Sequence, residues 1–314
     1  MVDANAGDKP LVTITGVTGF LGAQTVKVFL EDGSYRIRGT VRSKNNATKI
    51  DPLKKTLGEE LFSQLELVEA DLLNQESIEA ALAGSTFVVH TASPFVLSNP
   101  DDENTLVKPA VEGTTAVVKA CKTHGVQRCV ITSSIAAIRD QRPENWPADN
   151  TFDESFWSDT SPENTRLTHY NKSKTLAERA AWDYQASLPE GERFDIVTIN
   201  PALIFGPANQ TNDFASGEVL RGIMTSTQPV GRTRMGMVDV RDVAKAHLLG
   251  LKNDAAKNKR FLLVERCAWR REMAQTLANE FNPKGWNIVT EERTDDNVFS
   301  YEVNTKASRE VLGV

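Results

Sequence analysis

Tyr170 and Lys174 stand four residues apart in "HYNKSKTLAERAAWDY" (residues 169–184), a stretch free of Gly and Pro. Its Ala, Leu, Lys, Glu and Arg content reads as a helix, and on a helix residues four apart share one face, their Cβ atoms about 5–6 Å apart. A free phenol, with a pKa of about 10, is a poor acid or base at neutral pH. A neighbouring ammonium favours the phenolate. Lowering the pKa by ~3 units takes ~4 kcal/mol of differential stabilisation, which a close Lys174 in a water-poor cleft, helped by a cationic nicotinamide, is expected to supply. Tyr170 would then give a proton to a carbonyl oxygen as hydride reaches the carbon. Such a pair also arises by chance on solvated helices, so its surroundings must decide. One of them is "CVITSSIAAI", which ends a strand in Ser133 and Ser134. A hydroxyl there can hold the carbonyl opposite Tyr170; serine pairs after strands also make turns and caps.

The elements that must position these residues alternate. "LVTIT", "YRIRGTV", "LELVEA", "TFVVHTAS", "RCVITSS" and "FDIVTIN" read as strands. Helical stretches lie between them: "AQTVKVFLEDG", "IDPLKKTLGEELFSQ", "NQESIEAALAG", "NTLVKPAVEGTTAVVKACKTHG" and the helix of Tyr170. Alternation of this kind implies an α/β fold with a doubly wound parallel (Rossmann) sheet. The pattern covers residues 1–204 as a dinucleotide-binding core. Residues 205–314 are expected to form mainly a smaller substrate-binding lobe, with about 236–264 returning to the core. Loops are expected over 205–217, helices near 217–226, 270–281 and 305–312, and a strand at "RFLLV".

Between the first strand and first helix, "TGVTGFLG" sets Gly16, Gly19 and Gly22 three apart. The first permits a tight turn, the second lets backbone approach a pyrophosphate at a helix N-terminus, and the third allows close packing. A dinucleotide site of the NAD type has an acid at the end of strand two. Here that strand runs into "GTVRSKNNATK", which offers Arg42 and, after a loop, Lys49. Cations there suit the 2′-phosphate of NADP, although both are also ordinary surface charges. Asp71 in "EADLL" is either an adenine contact or a helix cap.

Together, "TGVTGFLG", "TSS" and "YNKSK" resemble an extended short-chain dehydrogenase/reductase, and the likeness spans nearly the whole chain. "GTVR" and "HTASPF" narrow it to the branch of dihydroflavonol reductases, cinnamoyl-CoA reductases and fungal methylglyoxal and aldehyde reductases. The resemblance implies an NADPH-dependent carbonyl reductase with Ser134, Tyr170 and Lys174 as catalytic residues; Ser133 replaces Ser134 if the turn shifts by one. It also implies cofactor contacts from Gly16, Thr18, Gly19, Phe20, Leu21, Gly22, Arg42, Lys49, Asp71, Leu72, Thr91, Ala92, Ser93, Tyr170, Lys174, Pro201, Leu203 and Ser216. Substrate contacts fall to Phe95, Ser134 and Tyr170. After Ser134 the chain departs from the plant flavonoid reductases, with Arg139 near the place of their Asn, and "RLTHYNKSK" lacks the cinnamoyl-CoA reductase signature. Trp146 and Trp157 either line an apolar pocket or are plain core residues. Two further readings are an NAD-linked sugar-nucleotide epimerase or dehydratase, against which Arg42 argues, and a non-enzymatic dinucleotide-sensing module, which has no use for a proton donor.

The 314 residues are 40% hydrophobic and carry a net charge of −6. That balance argues against nucleic-acid or anionic-membrane partners; the expected partner is the small carbonyl compound that the resemblance implies, and a monomer or homodimer is expected. Cys121, Cys129 and Cys267 share no metal-ligand spacing, so no metal is expected. "MVDANAGDKP" has no apolar core of a secretory signal, and no apolar run is long enough to span a membrane. The expected location is the cytosol.

Overall fold

The computed structural model of the chain describes residues 9–93, 102–208, 215–295 and 297–314. Its centre is a sheet of seven parallel strands: β1 (Leu11–Thr15), β2 (Arg36–Val41), β3 (Leu65–Glu69), β4 (Phe87–His90), β5 (Arg128–Thr132), β7 (Asp195–Pro201) and β10 (Lys259–Leu263). They lie in the order β10-β7-β5-β4-β1-β2-β3. The chain winds outward from β1 through β2 to β3, then returns to place β4 on the other side of β1. That reversal opens a crevice beyond the carboxyl ends of β1 and β4, where doubly wound sheets bind ligands.

Strands buried on both faces carry continuous apolar runs, and all five residues of β1 are buried. One face is covered by α1 (Phe20–Asp32), α2 (Ala47–Phe62) and α7 (Val240–Lys252), which pack Val26, Leu53 and Val243 into one apolar cluster. The other is covered by α3 (Gln75–Leu82), α4 (Asn104–Thr123) and α5 (His169–Ser187), which contribute Ile78, Val117 and Ala181. The helix expected over 50–64 is α2, and it kinks at Gly58, whose φ of 74° leaves the helical region.

Past β7 the chain builds a second sheet from β8 (Leu203–Phe205), β9 (Arg234–Asp239) and β11 (Arg266–Trp269), in the order β11-β9-β8. Helices α6 (Ala215–Thr225) and α8 (Arg270–Phe281) close over it through Ile223, Met273 and Ala274. Residues 205–217 therefore hold the end of β8 and the start of α6 as well as loop. The helix expected over 305–312 is mostly a π-helical turn, Ser308–Leu312. Two two-residue strands, β6 (Thr151–Phe152) and β12 (Glu302–Val303), tie the C-terminal segment to the middle of the chain. A third cluster, including Ile138, Phe152, Leu262 and Tyr301, lies beneath this junction.

Candidate active site

Ser134 follows β5 directly. Its extended backbone (φ −161°, ψ 154°) caps a single 3-10 turn, Ile135–Ala137, with its Oγ accepting from Ala136 N at 3.1 Å. Opposite it, α5 begins at a Thr168 cap, so Tyr170 and Lys174 lie one turn apart at the helix start. Tyr170 and Ser134 are hydrogen-bonded through their side chains. Lys174 Nζ donates to Ser93 Oγ at 2.8 Å and sits 5.7 Å from the centre of the Tyr170 ring. The three residues the sequence singles out are thus brought together, with Ser93 as a fourth.

Their charges do not behave as the sequence suggests. Burial pushes the Tyr170 phenol above its ordinary value; the Ser134 hydrogen bond and the Arg139 charge oppose this without overcoming it. Burial lowers Lys174 to about 8. The lowered phenol expected from Lys174 together with a cationic nicotinamide is not a property of the chain by itself. Desolvation sets the direction at the phenol, and the same burial disfavours the charge on Lys174.

Ser133 faces away from Tyr170. Its Oγ donates to Glu178 Oε2 at 2.5 Å, so Ser134 is the serine beside the phenol. Glu178 is 2% exposed and anchors the whole corner. Its carboxylate also accepts from Thr198 Oγ1 at 2.9 Å, Asn200 Nδ2 at 2.7 Å, Trp182 Nε1 at 3.3 Å and Arg260 Nε at 2.6 Å. Asn200 in turn donates to the Ser134 carbonyl at 3.2 Å. Sequence reading missed this hub, because a Glu inside a charged helix looks like a solvated residue.

Gly16 has a φ of +72°, and a Cβ there would lie 2.8 Å from Ala92 Cα; a Cβ at Gly22 would meet the Gly16 carbonyl oxygen at 2.2 Å. Both must be glycine for α1 to close on β1 and β4. Among the described residues no side chain caps α1 and its first turn carries no acid; helix N-termini of this kind attract phosphates, and this one lies at Gly19 and Phe20. Thr18 and Leu21 flank it. Thr91 Oγ1 donates to the Thr15 carbonyl at 2.6 Å and Ala92 N to Thr15 Oγ1 at 3.2 Å, which fixes the β4 end beside the turn.

Gly16 N and Val17 N donate to Thr40 Oγ1 and Thr40 O, both at 3.3 Å. This carries Arg42, two residues on, alongside the glycine turn. Arg42 and Lys49 are both exposed. Ala70 N donates to Val41 O at 2.9 Å, bringing Asp71 to the same rim. Asp71 does not cap α3, as that cap is Asn74; its Oδ1 accepts from Leu73 N at 3.0 Å. Leu72 turns its side chain onto α4 at Gly113. These contacts set Arg42 and Asp71 on one rim beside the glycine turn.

Pro201 and Leu203 bracket the step from β7 to β8. Ser216 is buried and its Oγ accepts from Ile204 N at 3.0 Å, a contact that shapes this loop. Phe95 lies outside the described residues. Trp157 is a platform for the Arg260 guanidinium, 3.7 Å from its ring centre, and Trp146 packs edge-on against Phe152 and Phe299. Both are packing residues in this fold. Among the described residues, no three His, Cys, Asp or Glu side chains are grouped to hold a metal, and no helix is long and apolar enough to cross a membrane.

A crevice at the sheet reversal, a glycine turn opening α1 and a Ser–Tyr–Lys constellation on β5 and α5 define a class of nucleotide-dependent enzymes. The chain belongs to the NAD dependent epimerase/dehydratase family, whose model matches residues 12–263. Within it, the chain is 34% identical over 278 residues to a cinnamoyl-CoA reductase (CAD2) of Medicago truncatula, covering 88% of this chain and 82% of the relative. It is also 34% identical over 272 residues to a putative NADPH-dependent methylglyoxal reductase (GRP2) of Candida albicans, covering 81% and 78%. Among solved structures, Gre2 of Candida albicans in complex with NADPH superimposes with a TM-score of 0.82 at 30% identity, covering 97% of this chain and 94% of that one. This is the branch that the "GTVR" and "HTASPF" motifs resemble.

Proposed function

We propose that the chain is an NADPH-dependent carbonyl reductase that converts a ketone or aldehyde to an alcohol, with Tyr170 as the proton donor. The observation that carries this is the Tyr170–Ser134 hydrogen bond with Lys174 one turn away. The relatives named as NADPH-dependent, or solved with NADPH, support the cofactor, as do Arg42 at the end of β2 and Lys49 beyond it. When bound, NADPH supplies the hydride. The chain's own residues do the rest. The Tyr170 phenol, raised by burial, carries its proton through the neutral range and so has one to give in the reductive direction. Ser134, already within hydrogen-bonding reach of that phenol, gives the carbonyl oxygen a second donor. Lys174, held by Ser93 beside the phenol, would also hold the ribose of the bound nucleotide. We assign residues 205–314, apart from about 236–264, to a lobe that closes over the substrate; α7 and β10 in the excepted stretch belong to the main sheet's layers.

Tyr170→Phe removes one oxygen and keeps the ring. General acid catalysis is typically worth about 10²–10⁴-fold. The variant should lose about that much turnover, followed as NADPH oxidation across aldehydes, diketones and 2-oxo esters, while NADPH affinity by fluorescence stays within a few-fold. A folded Tyr170→Phe protein that still turns over at near the parent rate would remove the assignment.

A further inference from the structure

Arg139 sits five residues past Ser134, just beyond the 3-10 turn that Ser134 caps, with its backbone N donating to Ile135 O at 3.1 Å. Its side chain is 20% exposed. The guanidinium lies over two rings of the C-terminal segment, 5.3 Å from the centre of Phe299 and 5.0 Å from that of Tyr301. Its charge is felt on both sides of the cleft, by the Tyr170 phenol on α5 and by Cys267 on β11. Yet its side chain donates no hydrogen bond to any of the described residues. Nε is buried without a hydrogen bond. The carboxylate beside it, Asp140, approaches no closer than 3.9 Å, beyond hydrogen-bonding range, and has its other oxygen engaged by Asn171 Nδ2 at 2.6 Å. Structural arginines in the same molecule look different. Arg128, whose Nε is likewise without a hydrogen bond, donates through its other nitrogens to three backbone carbonyls and Asp254, and Arg260 donates to Glu178 and three carbonyls.

A guanidinium binds carboxylates through a planar fork of donors. A desolvated one with idle donors beside a proton donor is a subsite for an anion. We propose that Arg139 selects carbonyl substrates carrying a carboxylate near the reacting carbon, making oxo acids the preferred class. The proposal rests on the reductase reading. It extends that reading, because Ser134 and Tyr170 grip only the carbonyl oxygen, whereas Arg139 grips the group next to it. A purely structural Arg139, stacked on Phe299 and Tyr301, would treat acids and esters alike.

The test compares phenylglyoxylate with its methyl ester, which share a skeleton and differ in charge. The ester is the more electrophilic, so an advantage for the acid must come from the site. KM for the acid should be at least tenfold below that for the ester. Arg139→Gln should raise it ten- to a hundredfold while leaving the ester within about threefold, and Arg139→Lys should restore part of the preference. Equal KM values for acid and ester in the parent, or an equal loss for both in Arg139→Gln, would overturn the proposal. A calorimetric arm needs no turnover: the NADP⁺-saturated protein should bind phenylacetate at least tenfold more tightly than phenylacetamide. Failure of that difference sinks the Arg139 subsite even if carbonyls are reduced. A protein that shows the difference but reduces no carbonyl retains the subsite and loses the reductase reading.

Discussion

Lys174 is an ammonium the fold pays for. Its value of about 8 in the folded chain lies below the 10.5 of an exposed lysine, with burial as the cause. Between those values the unfolded chain holds a proton that the folded chain has released. Stability from this group therefore rises as pH climbs from about 8 to 10.5, and the burden is complete below 8. Lys174→Met removes the burden. It should stabilise the protein by roughly 1–3 kcal/mol at pH 7, less at pH 10, while slowing turnover and weakening NADPH. Urea titration at the two pH values checks this, and a Met variant less stable than the parent at pH 7 would contradict it. The grouping of Tyr170, Lys174 and Ser134 was legible because each sits in a short local pattern. Their electrostatics were not, since desolvation depends on what packs around them from distant parts of the chain.

The corner that holds β5, α5, β7 and β10 together is one carboxylate wide. Glu178 receives donors from residues up to 82 positions away, and removing its charge leaves Arg260 buried without an anion. Breaking one side of such a pair costs about 3–5 kcal/mol. Glu178→Gln should accordingly lower the denaturant midpoint by an amount of that order, and adding Arg260→Met should recover part of it. A single-variant loss under about 1 kcal/mol would show that the pair is expendable. Elements with a period were readable from sequence: the strands of the main sheet and its long helices follow apolar repeats. The two-residue β6 and β12 carry no period at all, and "MGMVDVRDVAKAHLLGL" splits into β9 and α7 at Asp239, whose side chain caps the helix by accepting from Arg241 N. Glu178 and Arg128 were hidden for the opposite reason. Each is a charge in an otherwise ordinary strand or helix, and only tertiary contacts reveal it as interior.

For the molecule as a whole, cofactor choice should appear as heat resistance. A ligand that binds only the folded chain adds about 2.7 kcal/mol at a hundred times its Kd. At equal concentrations NADPH should raise the melting temperature by a few degrees more than NADH. Arg42→Ala should close most of that gap, since one charged hydrogen bond is worth about 1.5–3 kcal/mol. Equal shifts for the two cofactors in the parent would remove Arg42 from the 2′-phosphate site. The doubly wound architecture itself was plain from the alternation of strands and helices. The strand order was not, because β10 arrives from far along the chain and nothing in "RFLLV" names β7 as its neighbour.

That late arrival has a consequence for biosynthesis. β7 pairs with β5 on one side and β10 on the other, in register from Val197–Lys259 to Pro201–Leu263. During translation, roughly sixty residues must emerge after β7 before its second edge can be covered, several seconds at ordinary elongation rates of about 5–20 residues per second. Through that interval the nascent chain presents "DIVTIN", a β-branched ribbon with open backbone donors and acceptors, to its neighbours on the polysome. Truncated chains that stop before Lys259 should be the form most dependent on chaperones, and the first to aggregate when elongation stalls in this stretch.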